Sequence, residues 1–183
     1  MKPWECLGET PVFSRKPWLE LFDHHLKLPD GREIPDWLWV RTPSFVNVVA
    51  VTEAGEWICF RQQKYAVQDL TLGIVGGYID EGEDPLGAAK RELREETGFA
   101  SEEWTDLGDY AIDGNRGCGR GYLFFASQCT YVGGEVTDDL EDHENLHLSR
   151  EKVQSALENG EFGVMPWTAA VALALLRYPK SNT

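Results

Sequence analysis

The segment from Asp84 to Gly98 constrains this chain more than any other. Asp84 is a good helix N-cap, Pro85 suits the first helical position and Gly98 is the expected terminator, so the spacing predicts a helix from Pro85 to Thr97. At 100° per residue, Glu92, Glu95 and Glu96 share an arc of about 100°. That arc borders the apolar stripe of Leu86, Ala89 and Leu93 instead of lying on the far side. Like charges three and four residues apart cost an isolated helix roughly 0.2–0.5 kcal/mol per pair. Glu95 and Glu96 also stand near the negative end of the helix dipole. Local stability therefore opposes the arrangement, and a bound divalent cation reverses the sign, because Mg²⁺ and Mn²⁺ take hard oxygen ligands. A merely solvated charged face is the plainer alternative.

Around this helix the pattern predicts strands at about 18–27 and 33–41, flanking the turn Leu28-Pro29-Asp30-Gly31. Phe45 to Val51 and Trp57 to Gln62 read as a hairpin of buried strands, and Leu70 to Val75 as a further apolar run. Leu107 to Ile112 and Gly121 to Gln128 read as two strands around a glycine-rich loop. A second helix follows Ser149 and stops at Asn159-Gly160; a third starts near Pro166 with Trp167, Val171 and Leu175 as its stripe. Strands and helices mix without βαβ regularity or repeats, which predicts an α+β sandwich.

At 183 residues the chain has room for one full domain with a small appendage. Its formal charge of −14 repels phosphate backbones and anionic lipid, which predicts neither nucleic-acid nor membrane partners. No apolar run is long enough to span a bilayer, and Met1 to Glu5 lacks a signal-peptide core. Cys6, Cys59, Cys118 and Cys129 form no CxxC pair and read as reduced thiols, so a cytoplasmic location is expected. The charge is concentrated: Asp80 to Glu96 holds seven acids against three bases, and Glu135 to Glu144 holds six acids and no base.

From Gly77, five residues lead to Glu83 and seven more to Arg91-Glu92-Leu93, followed by Arg94-Glu95-Glu96-Thr97-Gly98-Phe99. This resembles the Nudix box, Gly-x5-Glu-x7-Arg-Glu-aliphatic-x-Glu-Glu-x-Gly-apolar, with every defined position matched. Seven fixed positions at average usage give a chance match of order 10⁻⁸ per window. The resemblance implies a Nudix fold, an α/β/α sandwich of mixed β-sheet and flanking helices. Residues 42–183 would form that domain, and residues 1–41 a small N-terminal strand region that pairs two subunits into a homodimer.

The resemblance also implies Mg²⁺-dependent hydrolysis of a nucleoside diphosphate linked to another group, with two or three ions per site and Mn²⁺ able to substitute. Such chemistry needs cations to neutralise the diphosphate and acidify a water. Carried over by position, Glu92 and Glu96 are bridging metal ligands, Glu95 is a further ligand, and the carbonyl of Gly76 is a backbone ligand. Arg91 and Glu83 form a buried pair that fixes the carboxylates. In the ADP-ribose and nucleotide-sugar branch, an acidic loop before the C-terminal helix supplies the base or another ligand. Alignment back from Ser149 puts Glu141 there, with Asp139 and Glu144 as flanking acids. His143 and His147 are bystanders, since hard magnesium sites favour oxygen.

Phe60 to Tyr65 resembles that branch's Gln-x-Arg segment, with Lys64 where an arginine is usual, so Arg61, Gln62 and Lys64 are expected at the substrate. Arg116 and Arg120, in the glycine-rich loop, are candidates for the diphosphate or sugar, and Phe45 and the tryptophans Trp4, Trp18, Trp37 and Trp39 for base stacking or a dimer core. The strand before the box, Leu72-Gly73-Ile74-Val75-Gly76, lacks the Glu and Pro common in that branch. The expected substrate class is nucleoside diphosphate sugars, ADP-ribose included, cleaved to a nucleoside monophosphate and a sugar phosphate. A MutT-like nucleoside triphosphate pyrophosphohydrolase, a dinucleoside polyphosphate or capped-RNA hydrolase, and a non-catalytic nucleotide-sensing module are the rivals. Intact box glutamates disfavour the sensing module.

Overall fold

The computed structural model describes residues 2–133 and 143–178. In chain order the elements are β1 (Glu5–Arg15), β2 (Leu19–Lys27), β3 (Glu33–Arg41), β4 (Phe45–Thr52), β5 (Trp57–Gln62), β6 (Thr71–Gly73), β7 (Val75–Tyr78) and α1 (Pro85–Thr97). There follow β8 (Phe99–Ala100), β9 (Glu103–Asp113), β10 (Gly117–Tyr131), β11 (His143–Leu148), α2 (Arg150–Glu158) and α3 (Met165–Arg177). The chain divides into two compact units, Met1–Ser44 with Tyr110–Gly121, and Phe45–Asp109 with Tyr122–Thr183.

In the first unit β1, β2 and β3 form an antiparallel meander, with Glu5 opposite Lys27 and Glu20 opposite Arg41. The β2–β3 turn closes where the sequence predicts it: Gly31 N–H donates to the Leu28 carbonyl and takes φ +89°, which only glycine adopts at no cost. Asp30 accepts from the Arg32 backbone N–H and Nε, which holds its carboxyl below the usual range. Phe22 and Leu26 are buried here, Arg41 lies 4.3 Å over the Phe22 ring, and His24 stacks on Trp39. Every residue of β1 is exposed.

In the second unit β4 is central. It pairs with β5 and β7 and neighbours β10, while β5 pairs with β6 and β11. Strand alternation explains the layers. Val46, Val48 and Ala50 point to one face, where they pack with Ala88, Ala89 and Leu93 of α1. Val49 points to the other, with Val153 of α2 and Trp167, Val171 and Ala174 of α3. Burial on both faces is why β4 reads as a nearly unbroken apolar run. The expected α/β/α sandwich is therefore observed.

Three strands were not legible, and one of them, β8, is only two residues long. β1 carries no apolar alternation, and β11 falls where the sequence suggests only an acidic loop running into a helix. β11 forms by pairing along β5, from His143 opposite Gln62 to Leu148 opposite Trp57.

Candidate active site

The helix carrying the glutamates is capped as its sequence dictates. Asp84 accepts from the N–H groups of Leu86 and Gly87, and Gly98, at φ +73°, donates its N–H to the Arg94 carbonyl. Ala88, Ala89 and Leu93 are fully buried against β4, so the rotation of α1 is fixed and the carboxylate arc is turned toward β7.

Arg91 organises that arc. Its Nε and Nη2 take both oxygens of Glu83, each at 3.0 Å, and Nη2 also reaches the Tyr78 carbonyl at 3.1 Å. Its Nη1 donates to Glu92 at 2.8 Å and to Glu95 at 3.1 Å. Glu83 in turn accepts from the Asp80 N–H, which ties the loop before α1 to the helix. The Arg91 guanidinium beside Glu83 holds that carboxyl below the usual range. The pair is partly exposed, at 29% and 21% for the two side chains, where the sequence suggested a buried one.

The carboxylates lie against a pair of glycines. Glu96 Oε2 accepts from the Gly76 N–H at 3.1 Å. A Cβ on Gly77 would collide with the Glu92 carboxylate, so glycine there is a requirement of close approach, not of backbone angle. Burial pushes the Glu92 carboxyl above its ordinary value, with Arg91 opposing. Glu92 is thus the interior acid, and Glu95, at 43% exposure, stands at the rim.

Three carboxylates and the Gly76 carbonyl are the hard oxygen set that Mg²⁺ or Mn²⁺ takes, and the site fits such an ion by donor chemistry. Among the described residues no three His, Cys, Asp or Glu side chains form a ready cage. The acids are instead tied to Arg91 and to the Gly76 N–H. Glu141, with Asp138, Asp139 and Asp142, lies outside the described residues.

The expected substrate residues are divided between the two units. Arg61 is exposed on β5 opposite Glu144, Gln62 is buried with its amide against Gly73, and Lys64 Nζ lies 5.7 Å over the Trp167 ring. Arg116 and Arg120 belong to the first unit. There the Arg116 guanidinium sits over Trp37 and donates to the Leu38 carbonyl, while Arg120 is exposed on β10. His143 packs on Phe60 and His147 meets Glu56 at 3.3 Å. Sequence reasoning missed the Tyr78 carbonyl as an Arg91 partner, and it missed Asn47, a buried amide in the apolar run of β4. Its signal was a lone polar residue between Val46 and Val48.

The NUDIX domain family matches residues 40–168, the stretch that holds the whole of this site. The chain belongs to that family. Among its relatives, the ADP-ribose pyrophosphatase of Bacillus subtilis (strain 168) is 26% identical over 84% of this chain and 81% of its own. The CMP-5'-(N-acetyl-N-hydroxy-3-aminopropyl)phosphonate hydrolase of Streptomyces rubellomurinus is 25% identical over 94% of this chain and 82% of its own. The solved structure of an ADP compounds hydrolase superposes with a TM-score of 0.77 at 20% identity, covering 97% of this chain and 95% of that one, a likeness of fold.

Proposed function

We propose that the protein hydrolyses the pyrophosphate bond of nucleoside diphosphate sugars, ADP-ribose among them, to a nucleoside monophosphate and a sugar phosphate. The observation that carries this reading is the Arg91 clamp, which gathers Glu92 and Glu95 beside Glu96 on one face of α1, against the Gly76–Gly77 backbone. Two relatives matched over most of their length, one named for ADP-ribose and one for a CMP-linked phosphonate, support a nucleotide joined to a variable group.

Glu92, Glu95, Glu96 and the Gly76 carbonyl would hold Mg²⁺, two or three ions with Mn²⁺ as substitute, and Glu141 is proposed as the base or a further ligand. When bound, the metal supplies neutralisation of the diphosphate and acidification of a water. The rest is the work of the chain. Arg91 holds the Glu92 and Glu95 carboxylates together and aimed, the Gly76 N–H fixes Glu96, and the fully buried Leu93 and Ala89 prevent α1 from turning. Arg61, Gln62 and Lys64 are proposed to meet the substrate, as are Arg116 and Arg120.

The wholly exposed β1, bearing Leu7, Val12 and Phe13 in the open with Trp4 just before it, supports a homodimer formed through the N-terminal region. No described helix is long and apolar enough to cross a membrane. A cytoplasmic location is proposed from the four free cysteines.

The test is a substrate panel with Mg²⁺ and product identification, setting ADP-ribose, GDP-mannose, UDP-glucose, a CMP-linked compound and nucleoside triphosphates side by side. Release of a nucleoside monophosphate and a sugar phosphate is expected. Preferential release of pyrophosphate from triphosphates would replace this reading with the MutT-like one.

A further inference from the structure

Asn47 stands where the core has no use for an amide. On β4 it lies between Val46 and Val48, both fully buried, and is itself 4% exposed. By strand alternation it shares a face with Val49, the face turned to α3 and away from α1. Among the described residues its Oδ1 is buried without a hydrogen-bond partner. Burial of an unmatched acceptor is costly, and leucine, of nearly the same shape, would avoid that cost.

What Asn47 touches gives the amide its meaning. It is the direct cross-strand partner of Gly76, and a Cβ on Gly76 would collide with its Nδ2. On the opposite face, Gly77 is pressed in the same way by the Glu92 carboxylate, and the Gly76 N–H is held by Glu96. The segment that carries the Gly76 carbonyl is therefore gripped by two acids from the α1 side and by one amide from the other side.

We infer that Asn47 is a positioning residue of the cation site: its amide, packed against Gly76 from the face opposite α1, sets the Gly76–Gly77 segment against which the glutamates lie. This rests on the reading of Glu92, Glu95 and Glu96 as metal ligands. It explains why an amide is kept in the middle of an apolar strand. Polar groups behind metal ligands commonly set affinity by 10- to 100-fold without touching the ion.

The test is Mn²⁺ binding to the full chain, by calorimetry and electron paramagnetic resonance, for the wild type, Asn47→Leu and Asn47→Ala, with melting temperatures of the metal-free proteins. The expected result for Asn47→Leu is a melting temperature equal to or above wild type, with Mn²⁺ affinity about tenfold weaker or worse. Turnover should fall while KM stays near wild type. Mn²⁺ affinity within about twofold of wild type in both variants overturns the inference, and so does a steep fall in melting temperature at unchanged affinity, the mark of a purely structural residue. Failure of the wild type itself to bind Mn²⁺ overturns the underlying metal reading along with it, so the two failures are distinguishable.

Discussion

Gly77 and Glu92 approach so closely that no side chain can stand between them: a Cβ on the glycine would meet both carboxylate oxygens of the glutamate. Gly77→Ala should therefore fold, since the position needs no left-handed backbone, yet push Glu92 out of place. Displacement of a reacting group by about 1 Å costs on the order of 10²-fold, and a turnover loss of that size is expected with little change in circular dichroism. Wild-type turnover in Gly77→Ala would mean that the Glu92 carboxylate has no fixed role.

Arg91 serves four partners at once: Glu83, Glu92, Glu95 and the Tyr78 carbonyl. Lysine keeps the charge but not the planar fork. Arg91→Lys should lower turnover about 10- to 100-fold and raise the Mg²⁺ concentration needed for half-maximal rate. A rate loss with an unshifted Mg²⁺ requirement would make the clamp a matter of stability alone.

The helix and its Glu83–Arg91 pair were readable because each signal was local. Asp84, Pro85 and Gly98 bracket α1 by backbone rules, and the Glu83–Arg91 pair follows from fixed spacing around it. β1 was not readable, because strand pairing with β2 creates it and none of its residues is buried. β11 was hidden by its own acids and histidines; its place is set by register against β5. Asn47 looked like one more position in an apolar run, and only the packing against Gly76 distinguishes it.

The thiols provide a pH prediction. Burial pushes Cys59 up to about 12 and Cys129 up to about 11, whereas Cys6 is exposed and Cys118 half-buried. At pH 8 a thiol reagent should label Cys6 and Cys118 quickly and leave the other two until denaturant is added. In the unfolded chain these buried thiols ionise near 9.0, well below their folded values, so their contribution to stability is intact below that pH. It is lost as pH climbs through the window between 9.0 and the folded values, about 11 for Cys129 and about 12 for Cys59. Denaturant midpoints should fall across that window, and rapid labelling of all four native cysteines would contradict the packing described.

Leu7, Val12 and Phe13 leave β1 with exposed apolar side chains on an edge strand, a liability that pairing with a second copy would remove. The double variant Leu7→Glu, Phe13→Glu should shift the light-scattering mass from twice 20.7 kDa to the single-chain value. An unshifted mass would place the dimer contact elsewhere or remove it.

The account rests on the glutamates of α1 acting through a divalent cation, and turnover of Glu96→Gln at saturating Mg²⁺ on ADP-ribose addresses it most directly. The substitution keeps the shape of the side chain and its acceptor for the Gly76 N–H while removing the charge. The predicted outcome is a loss of at least about 10²–10³-fold in turnover with the melting temperature held near wild type. A rate close to wild type would contradict the account.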